Sequence, residues 1–333
     1  MHNPKEHSIY FTLESHVGGG MSDCVRKFLH IFHTITDLTG LPFVYTPFKY
    51  AHIGSEYHAA VDKYLGFTYG HQNITEIAGL NYKHTPLNLT ALLKESAGEK
   101  EYIKKFFRTE KNIVYHIFIK DFHGESGTVL LANELLVKHN FKRLQERKLP
   151  SFAHPNAANY RSSLKQKSLF GRGGTKLFFN YRMGDLSILK LEPNLYYDYS
   201  RDSFYKSKED ALQDRKWPYR DPIELLPTIK KYSNMHPGAQ SILVTDGYTW
   251  ISKNRPKLAP YLKGRDPIAF FKKESKKHLN EILPLFNLEP FIGDSDQSLD
   301  SLFITLQTMM DADEVIGCPG QASTFTKLHS YCL

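Results

Sequence analysis

Phe178-Phe179-Asn180-Tyr181-Arg182-Met183-Gly184-Asp185 stands near the middle of a 333-residue chain and turns abruptly from apolar to charged. The stretch reads as a buried strand that ends by delivering an arginine. Arginine carries a permanent charge on a planar fork of donors, which can hold two phosphate oxygens at once. In an open α/β sheet, ligands bind beyond the carboxyl ends of the strands. Arg182 and Asp185 therefore mark either a ligand-binding strand end or a loop ion pair, and the stretch alone leaves both open.

Downstream, strand and helix patterns alternate. Residues 223–232 read as a helix despite Pro227, 241–245 as a strand, 268–282 as a basic helix, 299–310 as an apolar helix and 314–317 as a strand. Such alternation is the pattern of a doubly wound parallel sheet. Its strand ends carry polar groups: Arg182 with Asp185, Asp246 after Ser241-Ile242-Leu243-Val244-Thr245, and Ser323-Thr324 after the strand at Val315. Together they can line one crevice. Singly, Asp246 reads as a turn cap and Ser323 as a helix N-cap.

Upstream, Gly171-Arg172-Gly173-Gly174 reads as a hinge or domain boundary. At the start of the chain, Ser8 to Leu13 reads as a strand, followed by a glycine turn and a helix whose apolar stripe is Val25, Phe28, Leu29, Phe32 and Ile35. Gly40 is placed to end that helix, and Pro42 to Thr46 reads as the next strand. This is a βαβ unit, so its sheet is expected to be parallel. Gly18-Gly19-Gly20 either lets a ligand approach the helix N-terminus or forms a tight turn with no ligand. Glu14, His16 and Asp23 flank it and are the acid/base types clustered there. His30 and His33 share a helix face without a third ligand, so they read as packed or surface histidines. Residues 50–110 are aromatic and histidine-rich and offer no motif; Ile113 to Ile119 reads as a strand and Val129 to Arg147 as a helix. The expected fold is α/β, two Rossmann-like domains facing a cleft, divided as residues 1–165 and 166–333.

A chain this long with 41% hydrophobic residues can bury two cores. The excess of Lys and Arg over Asp and Glu, a formal net charge of +8, suits an anionic partner. No groove-reading or RNA-binding signature accompanies that charge, so nucleic acid is not expected. Three scattered cysteines, Cys24, Cys318 and Cys332, fit a reducing compartment. With a polar start and no run long enough to span a bilayer, the protein reads as soluble and cytoplasmic.

The order and spacing of four stretches resemble the GDP-fucose-dependent fucosyltransferase superfamily of GT-B fold, which includes the α1,2-, α1,6- and protein O-fucosyltransferases. Asn180-Tyr181-Arg182-Met183-Gly184-Asp185 is similar to a signature strand ending His-x-Arg-Arg-Gly-Asp. Val244-Thr245-Asp246 resembles a strand ending Thr-Asp. Met310 to Phe325 resembles an apolar helix, an Ala-Asp pair, a strand and a serine-rich loop that opens a helix. Gly18-Gly19-Gly20 is similar to the glycine loop of the acceptor-side domain.

The resemblance implies an inverting, metal-independent glycosyltransferase with no cofactor beyond its donor, GDP-fucose, and an acceptor-side domain at 1–165 before a donor domain at 166–333. Arg182 falls on the arginine that contacts the donor's β-phosphate and Asp246 on an aspartate that reads guanine. Gly19, Gly20, Asn180, Asp185, Ser323 and Thr324 complete the implied donor-binding set. Asn180 and Met183 depart from the family's histidine and second arginine, so phosphate neutralisation rests more on Arg182 and backbone donors.

The base for the acceptor hydroxyl is Glu14, His16 or Asp23, and the sequence does not choose among them. Asp294-Ser295-Asp296 and Asp311-Ala312-Asp313 have the spacing of a cation pair, but neither ends a strand, so a metal is not expected. Expected partners are the nucleotide sugar and a glycan or glycolipid acceptor, with peripheral membrane contact. Leu333 lies in a helical pattern, so a final helix returning to the first domain is expected to be missing or supplied otherwise. Two other readings stay open: a transferase using another nucleotide sugar, and a non-catalytic nucleotide- or glycan-binding protein.

Overall fold

The computed structural model describes residues 9–13, 20–50, 53–77, 82–97, 99–108, 112–117, 127–181, 188–198, 201–215, 225–245, 256–266, 269–270, 273, 289–292, 298–317 and 324–333. The chain divides into two compact units, residues 1–165 with 330–333, and residues 166–329. The end of the last helix thus belongs to the first unit. Leu149 N donates to Tyr331 O at 2.6 Å and Lys148 Nζ to Ser330 O at 2.8 Å, which ties that helix end to the first unit.

In the first unit, strands β1 (Ile9–Leu13), β2 (Lys83–Leu87) and β3 (Ile113–Ile117) form a parallel sheet in the order β1-β3-β2. Residues 42–46, expected as a full strand, join β1 through an isolated parallel bridge between Phe11 and Phe43. The helices are α1 (Met21–Thr39), α2 (His58–Leu65), α3 (Phe67–Gly70), α4 (Ile74–Ile77), α5 (Leu89–Glu95), α6 (Lys100–Arg108), α7 (Gly127–Lys138) and α8 (Pro155–Ser163). Gly40 closes α1 at φ 71°, its N–H bonding Thr36 O, a conformation that glycine adopts without strain. The helix expected to run to Arg147 stops at Lys138, because Asn140 turns left-handed at φ 63°.

The interior of this unit is aromatic. Phe28 packs edge-on against Phe43, Phe48 and Phe67, and Tyr45 stacks on Phe67 with centroids 5.3 Å apart. Asp62 is buried among these rings and accepts hydrogen bonds from the hydroxyls of Tyr45 and Tyr50 and from Phe48 N. Burial pushes its carboxyl up to about 8.

The second unit holds a parallel sheet of β4 (Lys176–Asn180), β8 (Gln240–Thr245), β9 (Glu289–Ile292) and β10 (Glu314–Ile316), in the order β10-β4-β8-β9. Leu177, Phe178 and Phe179 are consecutive and all buried, as a parallel strand covered on both faces requires. Leu177, Phe179, Tyr181, Leu225, Ile229, Leu243 and Ile316 form one core cluster. Between β4 and β8 the chain adds an antiparallel ribbon that the sequence pattern did not announce: β5 (Ile188–Glu192), β6 (Leu195–Asp198) and β7 (Ser203–Tyr205).

Helices α9 (Lys208–Asp214), α10 (Leu226–Met235), α11 (Ala259–Leu262), α12 (Leu299–Met310) and α13 (Thr324–Cys332) complete the described elements. Pro227 sits in the first turn of α10, where its missing N–H is not needed. The basic helix expected at 268–282 lies mostly outside the described residues. The stretch Gly171 to Gly174, read as a hinge or boundary, is pinned inside this unit. Gly171 N donates to Gln240 Oε1 at 2.7 Å, and Gln240 Nε2 donates to Gly173 O at 2.5 Å.

Candidate functional site

The second sheet brings the carboxyl ends of three strands to one edge. β4 lies between β8 and β10, and both pairings are parallel, so the carboxyl ends of all three strands leave the sheet on the same side. Asn180, the last residue of β4, is buried and registers with Val244, and Tyr181 N continues the pairing to Val244 O at 2.8 Å. Arg182 and Asp185 follow Tyr181 in sequence, Asp246 follows Thr245 of β8, and Ser323 precedes α13. These four residues lie outside the described residues. Thr324 opens α13, which is tied to β10 and its approach through Thr326 Oγ1 donating to Val315 O and His329 Nε2 contacting Ala312 O at 3.3 Å.

The opposite edge explains Asp311-Ala312-Asp313. Lys176, the first residue of β4, sends Nζ to Asp311 Oδ1 at 2.9 Å and its backbone N–H to Asp313 Oδ2 at 2.8 Å. Asp313 N returns a bond to Lys176 O at 3.0 Å. The triplet therefore fastens the amino ends of β4 and β10 together, away from the carboxyl edge. Asp294 and Asp296 lie outside the described residues. No cluster of three or more His, Cys, Asp or Glu suited to a metal occurs among the described residues.

In the first unit, Glu14, His16 and Gly19 lie outside the described residues. Gly20 is the N-cap of α1, and its carbonyl accepts from Asp23 N and Cys24 N, each at 3.0 Å. Asp23 sits in the first turn, where a helix N-terminus favours a carboxylate. Both of its oxygens face cations: Arg26 Nη2 on Oδ1, and Lys27 Nζ at 2.8 Å from Oδ2. That is the geometry of a local ion-pair network rather than of a base waiting for a proton. His30 is buried with its ring against Tyr331, and His33 Nε2 meets Lys148 O at 3.3 Å. Burial, above all, lowers the His33 imidazole, and it lowers nearby His71 to about 4. These rings are packing elements.

A polar group without a motif in the sequence lies on one face of the first sheet. Thr12 and His116 are register partners near the carboxyl ends of β1 and β3. Thr12 Oγ1 meets Thr46 Oγ1 at 2.5 Å, and His116 Nε2 meets His84 Nδ1 of β2 at 2.7 Å. Just before this row in the strands, Tyr10, Val44 and Val114 form an apolar cluster. The face thus changes from apolar to hydrogen-bonding as it nears the carboxyl edge. The available signal was a lone histidine in the otherwise apolar Ile113-Val114-Tyr115-His116-Ile117. His84, two residues before Pro86, gave none.

No helix among the described residues is long and apolar enough to cross a membrane. No protein-family model matches the chain, and no curated protein matches its sequence. A solved structure of the E. coli heptosyltransferase WaaC with ADP-2-deoxy-2-fluoro heptose is similar over 97% of this chain and 86% of that one, at 10% identity and a TM-score of 0.33. A likeness at that score fixes neither fold nor activity, and the fold rests on the strand order and pairing of the two parallel sheets alone.

Proposed function

We propose that the chain is a nucleotide-sugar-dependent glycosyltransferase of the GT-B kind, with the second unit as its donor domain. The observation that carries this reading is the adjacency of β4, β8 and β10 in parallel, and the three polar stretches follow these strands in sequence. Arg182 takes the β-phosphate, Asp246 the N–H edge of the base, and Ser323, Thr324 and the start of α13 add donors to the diphosphate. When an acceptor hydroxyl attacks the anomeric carbon, negative charge grows on the leaving diphosphate, and fixed positive groups stabilise that charge without reorganising. In its finer form the donor is GDP-fucose and the transfer is inverting and independent of metal, with a glycan or glycolipid as acceptor.

Calorimetric titration with GDP, UDP and ADP, with and without Mg²⁺, tests both levels. Selective binding of GDP without Mg²⁺ supports the finer form, and selective UDP or ADP binding moves the donor to another nucleotide sugar. Arg182→Ala is expected to lower donor turnover about 100-fold or more, the usual cost of one oxyanion-type donor. Normal turnover by that variant removes Arg182 from the site.

A further inference from the structure

The polar row on the first sheet holds two imidazoles whose nitrogens face each other. We propose that His84 and His116 form a two-histidine site for a divalent transition metal, Cu²⁺ before Ni²⁺ and Zn²⁺, that clamps the edge strand β2 to β3. The site is independent of the glycosyltransferase reading, since both ligands belong to the first sheet. His84 registers with Val114 and His116 with Pro86, and alternate residues of a strand share a face, so the two rings stand on one face, one pleat apart. His84 Nδ1 and His116 Nε2 lie 2.7 Å apart, with ring centroids at 5.0 Å. The histidines of α1 are arranged differently: the ring of His30 packs against Tyr331 and His33 Nε2 meets Lys148 O, so they do not turn two nitrogens toward one point.

The separation selects the metal. Imidazole nitrogens about 2.0 Å from one ion stand about 2.8 Å apart when they meet at a right angle, and about 3.3 Å apart at the tetrahedral angle. The observed 2.7 Å matches the right angle. That geometry belongs to Cu²⁺ and Ni²⁺, the tetrahedral one to Zn²⁺, and Cu²⁺ binds a given nitrogen site most tightly of the three. Each neutral ring has one proton to place. Coordination through His84 Nδ1 and His116 Nε2 puts those protons on His84 Nε2 and His116 Nδ1, so the metal replaces the contact between the rings by a change of tautomer, without loss of a proton. Exposed His84 gives the ion its entry path and lets water fill the remaining positions, and half-buried His116 on the central strand holds the fixed side. Strand β2 has a neighbour on one side only and carries Pro86, which has no N–H to pair, so a bond across the two strands adds to few others.

The test uses the full chain, stripped of metal with EDTA, dialysed and titrated with CuCl₂ by calorimetry and electron paramagnetic resonance. The wild type is expected to bind a tightest Cu²⁺ whose spectrum shows coupling to a pair of nitrogens. His84→Ala and His116→Ala are each expected to weaken that binding about 100-fold or more, since even an outer partner of a metal ligand is worth about 10- to 100-fold. His84 is exposed, so its truncation leaves the fold in place, which circular dichroism checks. An ion that binds only the folded chain stabilises it by mass action, so Ni²⁺ is expected to raise the unfolding midpoint of the wild type, reversibly with EDTA, and to leave both variants unmoved. Retention of Cu²⁺ at wild-type affinity by His84→Ala assigns the ion to others of the 16 histidines and overturns the site. A wild type that holds no ion overturns it too, and leaves the pair a hydrogen bond only. Displacement of Cu²⁺ by equimolar Zn²⁺ overturns the right-angle geometry. None of these outcomes depends on nucleotide binding, so the glycosyltransferase reading stands or falls separately.

Discussion

The two units bury different things. The first surrounds Asp62 with tyrosine hydroxyls and a ring cluster and keeps His30 and Lys27 inside, whereas the main cluster of the second is Leu, Ile, Phe and Tyr around β4 and β8. A buried carboxyl surrounded by donors is highly specific in geometry but expensive to disturb, because every donor aimed at it loses its partner. A core of Leu, Ile and Phe around a Tyr, without a carboxyl or imidazole among them, fails chiefly by leaving a cavity. The cluster around β4 and β8 is therefore expected to respond to volume and the first unit to protonation as well, while the buried ion pair of Asp198 and Arg215 in the second unit lies outside that cluster.

The largest effect is expected at Asp62. Asp62→Ala strands the hydroxyls of Tyr45 and Tyr50 and the amide of Phe48, and is expected to cost about 3–5 kcal/mol in urea unfolding followed by circular dichroism. Its ionisation gives the sign of the pH dependence. The folded carboxyl sits at about 8 against an ordinary 3.8, so between those values the folded chain holds a proton that the unfolded chain has released. Stability then falls as pH rises through that window, by at most about 1.4 kcal/mol per pH unit, and levels off above it. Asp62→Asn is expected to flatten that slope. Equal slopes in the wild type and this variant would show that another group sets the pH response.

Leu243→Ala probes the other side of the comparison. Leu243 is 1% exposed in the middle of β8, and its truncation is expected to cost about 3 kcal/mol at every pH, a cavity cost. Both tryptophans, Trp217 and Trp250, fall in the sequence range of the second unit, so their fluorescence is expected to report on that unit. Leu243→Ala is expected to move the tryptophan transition and Asp62→Ala to leave it in place. If both variants shift it equally, the two cores unfold as one and the contrast between them is not energetic.

The same contrast governs what could be read from the sequence. The buried run Leu177 to Phe179 and the strand and helix at β1 and α1 were legible because periodicity and punctuation are local. The order β10-β4-β8-β9, which sets three of these strands side by side, was not, since strand neighbours are chosen by tertiary packing. Strand β2 was hidden by Pro86 and exposed Lys83 and His84, which a central strand would not tolerate but an edge strand does. The ribbon β5–β7 was hidden by its short strands and mixed exposure. The strands that precede Arg182 and Asp246 in sequence were legible, whereas the His84–His116 pair depends on register between two strands distant in sequence.

The smallest expected effect sharpens the comparison by being equal on both sides. Asn88 caps α5 in the first unit by accepting from Ala91 N at 3.0 Å, and Ser298 caps α12 in the second by accepting from Ser301 N at 3.1 Å. Each side chain satisfies one of the amides that a helix start leaves unbonded, so Asn88→Ala and Ser298→Ala are each expected to cost about 1 kcal/mol. Neither acceptor is ionisable, so both costs are expected to stay constant over the window in which Asp62 titrates. A pH-dependent loss in Asn88→Ala would mean that proton uptake in the first unit reaches beyond the carboxyl and its three donors. A constant one confines the response to Asp62 and leaves the two units alike in their helices and different only in what they bury.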